Sequence, residues 1–402
     1  MRELRPGWAL SKVGDLFDMQ LGKMLSKEAA AGPAQREYLT NKNVQWNRLE
    51  FDELNRMTFS ESEREKFRLV SGDLLVTEGG EVGRTAIWGE ERDECYFQKS
   101  LHRLRSKGRI EPRYMLHYMN YAARWKLFID SVGQTSIAHL PQDKFAAHLV
   151  AYPVDLGEQR RIVEVIDAVS AQERAIEASI AKLEMLKGGV IAELASMELG
   201  AFEGILEHGP QNGIYKPASS YGSEGTPIVR IDSFRGGPSD FTRNLLRVSL
   251  SVGEVERYGL VTGDILINRV NTPELVGKST AVGRLVEPTV FESNVMRCKV
   301  RAGRAVPTFV ETWLGSPLVK THFRMHAKSA ISQASINRSD VRSCPFPRLD
   351  VPQQLIFLKR LAAVRDQQQL EEVELAKLDD LNRGIMDDLL DSGARARAGS
   401  AP

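Results

Sequence analysis

Polar side chains that can donate hydrogen bonds are concentrated between short apolar runs of the sequence. Arg and Lys can contact phosphate or guanine, and Asn and Gln can pair with adenine. The first-half candidates are Lys42, Asn43, Arg84, Lys99, Gln134, Thr135 and Ser136. The second-half candidates are Asn212, Tyr215, Lys216, Arg230, Arg269, Asn271, Lys278, Ser332, Gln333 and Asn337. Any one of them could be a solvated loop side chain, but their grouping on corresponding loops of a repeated sequence favours a binding surface.

Two glycine-containing segments match parts of nucleotide-binding motifs without completing them. The G-K-S sequence that begins at Gly277 is the end of a phosphate-binding loop, but Thr272 stands where the first glycine of that loop belongs. The glycine cluster at 79–83 lacks the full dinucleotide-binding pattern. We therefore expect no cofactor to be bound by this chain.

Candidate metal ligands and nucleophiles are also incomplete. His322 and His326 are four residues apart in a predicted helix, but no glutamate follows the first histidine and no third ligand is near. The odd number of cysteines (Cys95, Cys298 and Cys344), with no C-x-x-C pair, argues against a disulfide framework and a cysteine zinc site. The sequence contains no recognisable catalytic triad and no Asn-Pro-Pro-Tyr-like methylation motif. We expect neither catalytic residues nor a metal site.

Charge is segregated along the chain although its overall net charge is only +1. The net charge is +1 for residues 1–156, −5 for 157–211, +8 for 212–348 and −5 for 349–392. Alternation of neutral or basic blocks with acidic blocks suggests a polyanionic partner for the basic ones.

Length and hydropathy limit the class of protein. A chain of 402 residues is too long for one ordinary domain, and 42% hydrophobic with 27% charged residues is typical of a folded protein. No apolar run approaches the roughly 18 residues of a membrane span, and the first fifteen residues contain no apolar signal core. We expect a cytoplasmic protein.

The two halves of the sequence repeat each other. Residues 67–77 match residues 258–268 at an offset of 191, including a Gly-Asp turn followed by an apolar run. Residues 153–159 resemble residues 347–354, and residues 182–186 align with residues 377–381 at an offset of 195. The repeat unit is about half of the chain, which indicates a duplicated module and not a solenoid.

Each repeat ends in a long helical pattern. Apolar residues recur at steps of four and three over positions 162–197, and positions 357–392 share this register. Polar residues interrupt it at Glu173 and Lys187, and again at the equivalent Gln368 and Asn382. Antiparallel pairing would place Glu173 near Asn382 and Lys187 near Gln368, but parallel pairing would also match polar with polar. The alternative is two amphipathic helices that each pack on their own domain.

The remaining segments predict an α+β fold. Short apolar runs such as 73–76, 85–88, 228–231 and 264–267 predict strands, and residues 112–128 and 307–326 predict helices. We predict recognition domains at 1–156 and 200–350, spacer helices at 157–199 and 351–392, and a flexible tail at 393–402.

The order of these motifs resembles the specificity subunits of type I restriction–modification enzymes. The resemblance rests on Trp8–Leu16, on the Gly-Asp turn with the Gly-x-x-Gly-Arg-Thr-Ala that follows it, on Gly133–Leu140, and on Pro153–Ile162, which ends in E-Q-R-R-I. The second half repeats the scheme, including the segment 209–216, so the resemblance covers essentially the whole chain. One departure is Gln353, which precedes Gln354 where the family usually has Glu.

This resemblance implies two target-recognition domains separated by two long antiparallel coiled-coil helices, with a pseudo-two-fold internal repeat. Each domain would read one half of a bipartite site on double-stranded DNA. The helices would dock two methyltransferase subunits, which carry S-adenosylmethionine, and restriction subunits could join them. The chain itself would be non-catalytic.

Two other functions remain open from the sequence. One is a fused restriction or modification enzyme, which a cofactor or metal motif would reveal. The other is a stand-alone DNA-binding regulator or scaffold, which co-purification of a methyltransferase subunit would exclude.

Overall fold

The structure is a computed structural model that describes residues 4–89, 91–128, 139–235, 237–329 and 333–390. The chain divides into two compact units, the first formed by residues 1–177 and 373–402 and the second by residues 178–372. Because this division cuts both long helices, it does not test the predicted domain borders, which stay a prediction. None of the helices that the structure describes combines the length and apolar character of a membrane-spanning segment.

The globular part of the first unit contains a four-stranded sheet, a three-stranded sheet and two strand pairs. Its strands are β1 (Trp8–Lys12), β2 (Phe17–Leu21), β3 (Gln35–Leu39), β4 (Val44–Gln45), β5 (Arg48–Leu49), β6 (Asn55–Thr58), β7 (Leu74–Thr77), β8 (Thr85–Ile87), β9 (Tyr96–Phe97), β10 (Leu101–Ser106) and β11 (Leu149–Pro153). Its helices are α1 (Val13–Leu16), α2 (Lys27–Ala31), α3 (Glu61–Phe67), α4 (Pro112–Arg124) and α5 (Gln142–Ala147). The sheets have the orders β2-β10-β7-β8 and β6-β3-β9, and the pairs are β1-β11 and β4-β5.

The first long helix, α6 (Leu156–Ala195), leads into the second globular part. The strands there are β12 (Leu199–Ala201), β13 (Leu206–Asn212), β14 (Tyr221–Gly222), β15 (Thr226–Val229), β16 (Leu246–Val248), β17 (Ile265–Asn268), β18 (Val270–Asn271), β19 (Ser279–Ala281), β20 (Val290–Phe291), β21 (Val295–Val300), β22 (Lys328–Ser329), β23 (Ala334–Ser335) and β24 (Pro345–Pro347). The helices are α7 (Val252–Tyr258), α8 (Pro307–Leu314), α9 (Pro317–His326), α10 (Arg338–Arg342) and the second long helix α11 (Val351–Leu390).

The two units use the same sheet order. The four-stranded order β13-β21-β17-β19 in the second unit corresponds to β2-β10-β7-β8 in the first, and the pair β12-β24 corresponds to β1-β11. The predicted mixture of α and β structure is confirmed. The predicted turns are also confirmed, because the buried Asp73 and Asp264 accept the backbone N–H groups of Val70 and Val261 at 2.9 and 3.0 Å.

Strand β7 and the equivalent β17 are buried on both faces, which explains their continuous apolar sequences. In β7, Leu74 and Val76 pack in one hydrophobic cluster with residues of α4, whereas Leu75 packs in another with Tyr96 and Phe97 of β9. Alternate residues of a strand point to opposite faces, so the sheet separates the helical layer from the smaller sheet. The second unit distributes the residues of β17 in the same way.

Two predicted helices have different bounds in the structure. The segment 307–326 forms α8 and α9 instead of one helix, because Ser316 caps the second helix by accepting the Val319 N–H and Pro317 has no N–H with which to continue the first. Helix α4 ends at Arg124, four residues before the predicted end. Lys126, at φ 54°, closes it with a C-terminal turn in which the Leu127 N–H donates to the Ala122 carbonyl at 2.8 Å.

A fully buried glutamine joins the start of each long helix to the globular part of its own unit. Gln159 accepts the Glu111 N–H at 2.8 Å and donates to the carbonyls of Arg109 and Pro153 at 3.2 and 2.8 Å. The equivalent Gln354 repeats all three bonds. It accepts the Val306 N–H at 2.9 Å and donates to the carbonyls of Arg304 and Leu349 at 3.0 and 2.9 Å. These bonds give a physical role to the glutamine of the E-Q motif.

The two long helices contact each other within each unit. Along these contacts the residue numbers rise in α6 while they fall in α11, as in an antiparallel pair. In the second unit, Ser179 donates to Glu371 at 3.0 Å, and Gln368 and Arg360 donate to Glu184 and Glu193 at 2.8 Å each. In the first unit, the Asn382 amide donates to Glu173 at 2.9 Å, as antiparallel pairing predicts. Gln368 contacts Glu184 instead of the predicted Lys187, whose ammonium lies 3.5 Å from the same carboxylate.

The Glu173–Asn382 contact leaves two oxygen atoms without a partner. Glu173 Oε1 and Asn382 Oδ1 are both buried and accept no hydrogen bond from the described residues. Burial raises the pKa of Glu173 above its ordinary value of 4.5, and Asp379 and Glu177 raise it further, against the Asn382 bond and Arg174. A raised carboxyl pKa means that the folded chain holds this proton more tightly than the unfolded chain, so stability falls as the pH rises through this pKa.

Glu173→Gln should therefore stabilise the protein at neutral pH. The new amide can donate to Asn382 Oδ1, so we expect about 1 kcal/mol more free energy of unfolding at pH 7. The gain should disappear below pH 4.5, where the native carboxyl is protonated. Urea unfolding at both pH values measures it. Glu177→Gln removes the same charge from an exposed neighbour, and an equal gain in that control would contradict the assignment.

Candidate nucleic-acid interface

Four loops of the first unit converge around residues 98–100. The Lys99 N–H donates to the Lys23 carbonyl, and the Gln98 N–H donates to the Leu39 carbonyl, at 3.0 and 2.9 Å. The Glu78 N–H donates to the Ser100 carbonyl at 3.0 Å. We call residues 22–26, 39–47, 78–84 and 98–100 the first loop cluster. They form one surface made largely of polar loop residues.

The second unit builds the same arrangement around residues 292–294. The Ser293 N–H donates to the Ile214 carbonyl, and the Glu292 N–H donates to the Val229 carbonyl, at 2.9 Å each. The Arg269 N–H donates to the Asn294 carbonyl at 2.7 Å. We call residues 212–216, 230–235, 268–278 and 291–294 the second loop cluster. The matched backbone bonds make each loop of one cluster the equivalent of a loop in the other.

Two equivalent glycines permit this convergence. A Cβ on Gly22 would lie 2.3 Å from the Gln98 carbonyl oxygen, and a Cβ on Gly213 would lie 2.2 Å from the Phe291 carbonyl oxygen. Only glycine can pack so close to a backbone without moving it. An exposed apolar side chain follows two residues later in both loops, Met24 with 62% exposure and Tyr215 with 77%.

The predicted first-half residues have different surroundings. Lys42 and Lys99 are exposed in the first loop cluster. Asn43 is buried, and its side chain accepts from Thr40 and donates to the carbonyls of Glu50 and Glu53. It therefore stabilises its own loop and offers no free group to a ligand in this conformation. The remaining candidates, Gln134, Thr135 and Ser136, lie outside the described residues.

Arg84 and Lys278 occupy equivalent positions and have the same local role. Arg84 Nη2 donates to the Asn41 carbonyl at 2.6 Å, and Lys278 Nζ donates to the Ile231 carbonyl at 3.0 Å. Burial lowers the pKa of Lys278, whose ammonium also lies 5.2 Å from the Phe234 ring centre. Each cation therefore links two loops of its cluster by a hydrogen bond.

Cationic candidates at the edge of the second cluster are partly neutralised by carboxylates. Lys216 Nζ lies 2.8 Å from Glu254, and Arg230 Nε lies 3.4 Å from Glu292. The Lys216 hydrogen bond lowers the pKa of Glu254 to about 2, with help from the backbone of Ser251. In the first unit, Lys23 pairs with Glu63, the equivalent of Glu254, and its hydrogen bond lowers the pKa of Glu63.

Three of the other second-half candidates lie on or beside β18 and β23, and a fourth, Asn212, ends β13. Asn271 in β18 pairs with Ala334 in β23, so the exposed Gln333 adjoins it. Arg269 immediately precedes β18, and its carbonyl accepts the Ile336 N–H at 3.0 Å. Asn212, at the end of β13, has a buried Oδ1 without a partner among the described residues.

Asn337 is a helix cap rather than a free amide. Its Oδ1 accepts the N–H groups of Ser339 and Asp340 at the start of α10, at 2.7 and 3.1 Å. The capping bonds engage only the amide oxygen, so the role of Asn337 as a DNA contact stays a prediction. Ser332 lies outside the described residues.

The sequence prediction overlooked three residues of these clusters. Lys23 and Met24 are the equivalents of Ile214 and Tyr215, and the offset of 191 residues could have identified them. Trp46 is the third, and its indole N–H donates to Glu81 at 2.7 Å, joining two loops of the first cluster. No motif in the sequence signals this contact, because it depends on loop packing.

The described residues contain no group of three or more His, Cys, Asp and Glu side chains that could hold a metal ion. His322 Nε2 lies 2.9 Å from the Asp340 carbonyl, and His326 Nδ1 lies 2.8 Å from the His322 carbonyl, so both rings contact backbone oxygens. The three cysteines are buried free thiols.

The family comparison accounts for the first repeat. Residues 6–185 match the model of the type I restriction modification DNA specificity domain. This match covers a little under half of the chain. The resemblance predicted from the order of the motifs is confirmed.

Two relatives carry the name of specificity subunits. The type I restriction enzyme MjaX specificity subunit of Methanocaldococcus jannaschii is 26% identical over 133 residues, which are 33% of this chain and 31% of that protein. The EcoKI specificity subunit of Escherichia coli is 23% identical over 379 residues, covering 85% of this chain and 78% of that protein. The chain thus spans about a third of the first relative and most of the second.

A solved structure shows the same fold along the chain. It comes from work on complex assembly and conformational transition of the type I restriction–modification system. Its TM-score is 0.64 at 14% identity, over 97% of this chain and 99% of that one.

Proposed function

We propose that the chain is the DNA-recognition subunit of a type I restriction–modification system. Residues 1–156 and 200–350 each read one half of a bipartite target on double-stranded DNA. The observation that carries this proposal is the pair of loop clusters, which share one backbone framework but present different side chains. Such a duplication suits two half-sites of different sequence, because the framework positions the readers and the side chains select the bases. The names of the relatives support the same function.

The long helices hold the two recognition domains apart and dock partner subunits. Met185, Leu186, Ile356 and Leu370 are large apolar side chains that are at least half exposed on the helical segments of the second unit. Val373 and Leu381 are exposed likewise in the first unit. Several large apolar side chains exposed on the same two helices suit a protein–protein interface. We assign them to two methyltransferase subunits, joined by restriction subunits in a complete system.

The chemistry belongs to those partners. The chain is non-catalytic and binds no cofactor of its own, whereas S-adenosylmethionine is held by the methyltransferase subunits. The complex works in the cytoplasm, where the DNA of a prokaryotic cell is found. The relatives' name, specificity subunit, supports this division of labour.

The isolated chain should bind duplex DNA but transfer no methyl group from S-adenosylmethionine. Addition of its methyltransferase subunit should restore transfer, measured with tritiated S-adenosylmethionine on genomic DNA. Methyl transfer by the chain alone would favour a fused enzyme. Failure of the chain to capture the methyltransferase subunit would favour a stand-alone regulator.

Salt dependence should distinguish a free cation from one that is already engaged. Lys99→Ala should lower the slope of log affinity against log salt by about 1, because this exposed ammonium can neutralise one phosphate. Lys278→Ala should lower the slope by less, because its ammonium already donates to the Ile231 carbonyl. Lys107 lies at the opposite end of β10 and donates to the Gly14 carbonyl, so Lys107→Ala is the control. An unchanged slope for Lys99→Ala would remove this residue from the interface.

A further inference from the structure

Glu78 and Arg269 occupy the same position in the two units but carry opposite charges. Each follows the central buried strand, β7 in the first unit and β17 in the second. The N–H of each donates to the loop at 98–100 or 292–294. The carbonyl of each accepts a backbone N–H from a segment that precedes a short helix, from Leu140 before α5 at 2.8 Å and from Ile336 before α10 at 3.0 Å. Backbone bonds on both sides therefore fix both residues in the centre of their loop clusters.

The two side chains differ in their protein partners. Glu78 Oε1 lies 3.2 Å from His139 Nε2, and the Glu78 side chain is only 12% exposed. The half-buried Arg269 has a buried Nε without a partner, and its guanidinium makes no ion pair or hydrogen bond with the described residues. Leaving a buried donor without an acceptor destabilises the protein. The Arg269 guanidinium is therefore free to donate hydrogen bonds to an acceptor on a bound molecule.

The opposite charges of Glu78 and Arg269 indicate whether this position contacts a phosphate group or the edge of a base. A phosphate group is an anion that accepts hydrogen bonds. A carboxylate also accepts them, so Glu78 could not make the phosphate contact that Arg269 would make. A base edge accommodates both charges, because Arg donates two bonds to guanine O6 and N7 whereas Glu accepts from an exocyclic amino group. A side chain that reads a base must also have a fixed orientation. Both residues meet this requirement, because each is held at the end of a rigid strand.

We propose that this matched position reads a base in both half-sites. Arg269 donates to O6 and N7 of a guanine, and Glu78 accepts from the amino group of a cytosine or adenine. This proposal rests on the proposed function and adds to it the residues that select one base pair in each half-site.

The experiment is a binding selection from a randomised duplex library with the complex of the chain and its methyltransferase subunit. Arg269→Ala and Arg269→Lys should each lower the preference for one G·C pair in one half-site by about 5- to 150-fold, with the other positions unchanged. Arg269→Lys keeps the charge but loses the two-pronged donor. Glu78→Gln should change one base pair in the other half-site. Arg301→Ala, beyond the opposite end of β21 from Asn294, should leave the motif unchanged.

A base analogue tests the guanine contact directly. Replacing that guanine by 7-deazaguanine removes the N7 acceptor, so it should weaken wild-type binding but have no effect on Arg269→Ala. The unchanged half-site in each variant shows that the complex is folded. Equal weakening on all sequences would identify a phosphate contact and overturn the proposal, as would an unchanged motif in all three variants. Either result leaves the proposed function intact, whereas a wild-type complex without any sequence preference would overturn both.

Discussion

Gln354→Ala should lower the free energy of unfolding by about 3–5 kcal/mol. The substitution leaves the Val306 N–H and the carbonyls of Arg304 and Leu349 without their buried partner. Each orphaned group costs about 1–3 kcal/mol, and water entering the cavity recovers part of that. Gln159→Ala should have a similar effect in the first unit, because its three bonds are equivalent. Denaturant unfolding followed by circular dichroism measures both losses.

The neighbouring Gln353 provides a matched control. Its side chain accepts the Asp350 N–H at 3.0 Å while Asp350 accepts the Gln353 N–H at 2.9 Å, which caps the start of α11 from the surface. Gln353→Ala should therefore cost only about 1 kcal/mol. If the two adjacent glutamines had equal effects, the buried anchor would not be what joins the helix to its unit. The same cap shows that Gln in place of the usual Glu preserves local capping.

Inserting four residues into each long helix should lengthen the gap between the two half-sites by one or two base pairs. The insertions belong between Glu177 and Ala178 and between Glu372 and Val373, where the chain passes from one compact unit to the other. Four residues add about 6 Å and rotate the rest of the helix by about 40°. One or two base pairs add about 3.4–7 Å and turn the DNA by about 35–70°. The added length and rotation of the helices therefore match those of the longer DNA gap.

A seven-residue insertion at the same points is the control, because it lengthens the helices without a rotation that matches the DNA. Seven residues preserve the seam and add about 10 Å with almost no rotation, whereas three base pairs turn the DNA by about 100°. This variant should therefore bind more weakly than wild type at every gap. Binding across duplexes that keep both half-sites and vary only the gap measures both variants. An unchanged optimum after the four-residue insertion would mean that the helices do not set the distance.

The repeat was readable from the sequence because its framework depends on local signals. The turn before each buried strand requires Gly-Asp, and each long helix requires an apolar seam, so both patterns survive in the residues themselves. The break between α8 and α9 was missed although Pro317 marks it, because the apolar periodicity continues through the proline. The end of α4 carried a weaker signal, since Lys126 in a left-handed turn has no special residue type.

The roles of individual site residues could not be predicted in the same way. Residue type identified Asn43 and Asn337 as possible base readers, but both amides stabilise their own backbone. Arg84 and Lys278 were identified as cations, yet their bonds to loop carbonyls depend on how distant segments pack. Gln159 was noticed only as part of a motif. Hydrogen bonds between residues that are far apart in the chain produce no periodicity or fixed spacing in the sequence, so sequence patterns cannot predict them.

Base-resolution mapping of methylated DNA tests the DNA-recognition function most directly. The complex of this chain with its methyltransferase subunit would be incubated with unmethylated genomic DNA and S-adenosylmethionine, and the modified positions sequenced. We predict one interrupted motif, with two short specified segments separated by a fixed number of unspecified bases. A single uninterrupted motif would contradict two separate reading domains, and methylation without sequence preference would contradict the proposed function.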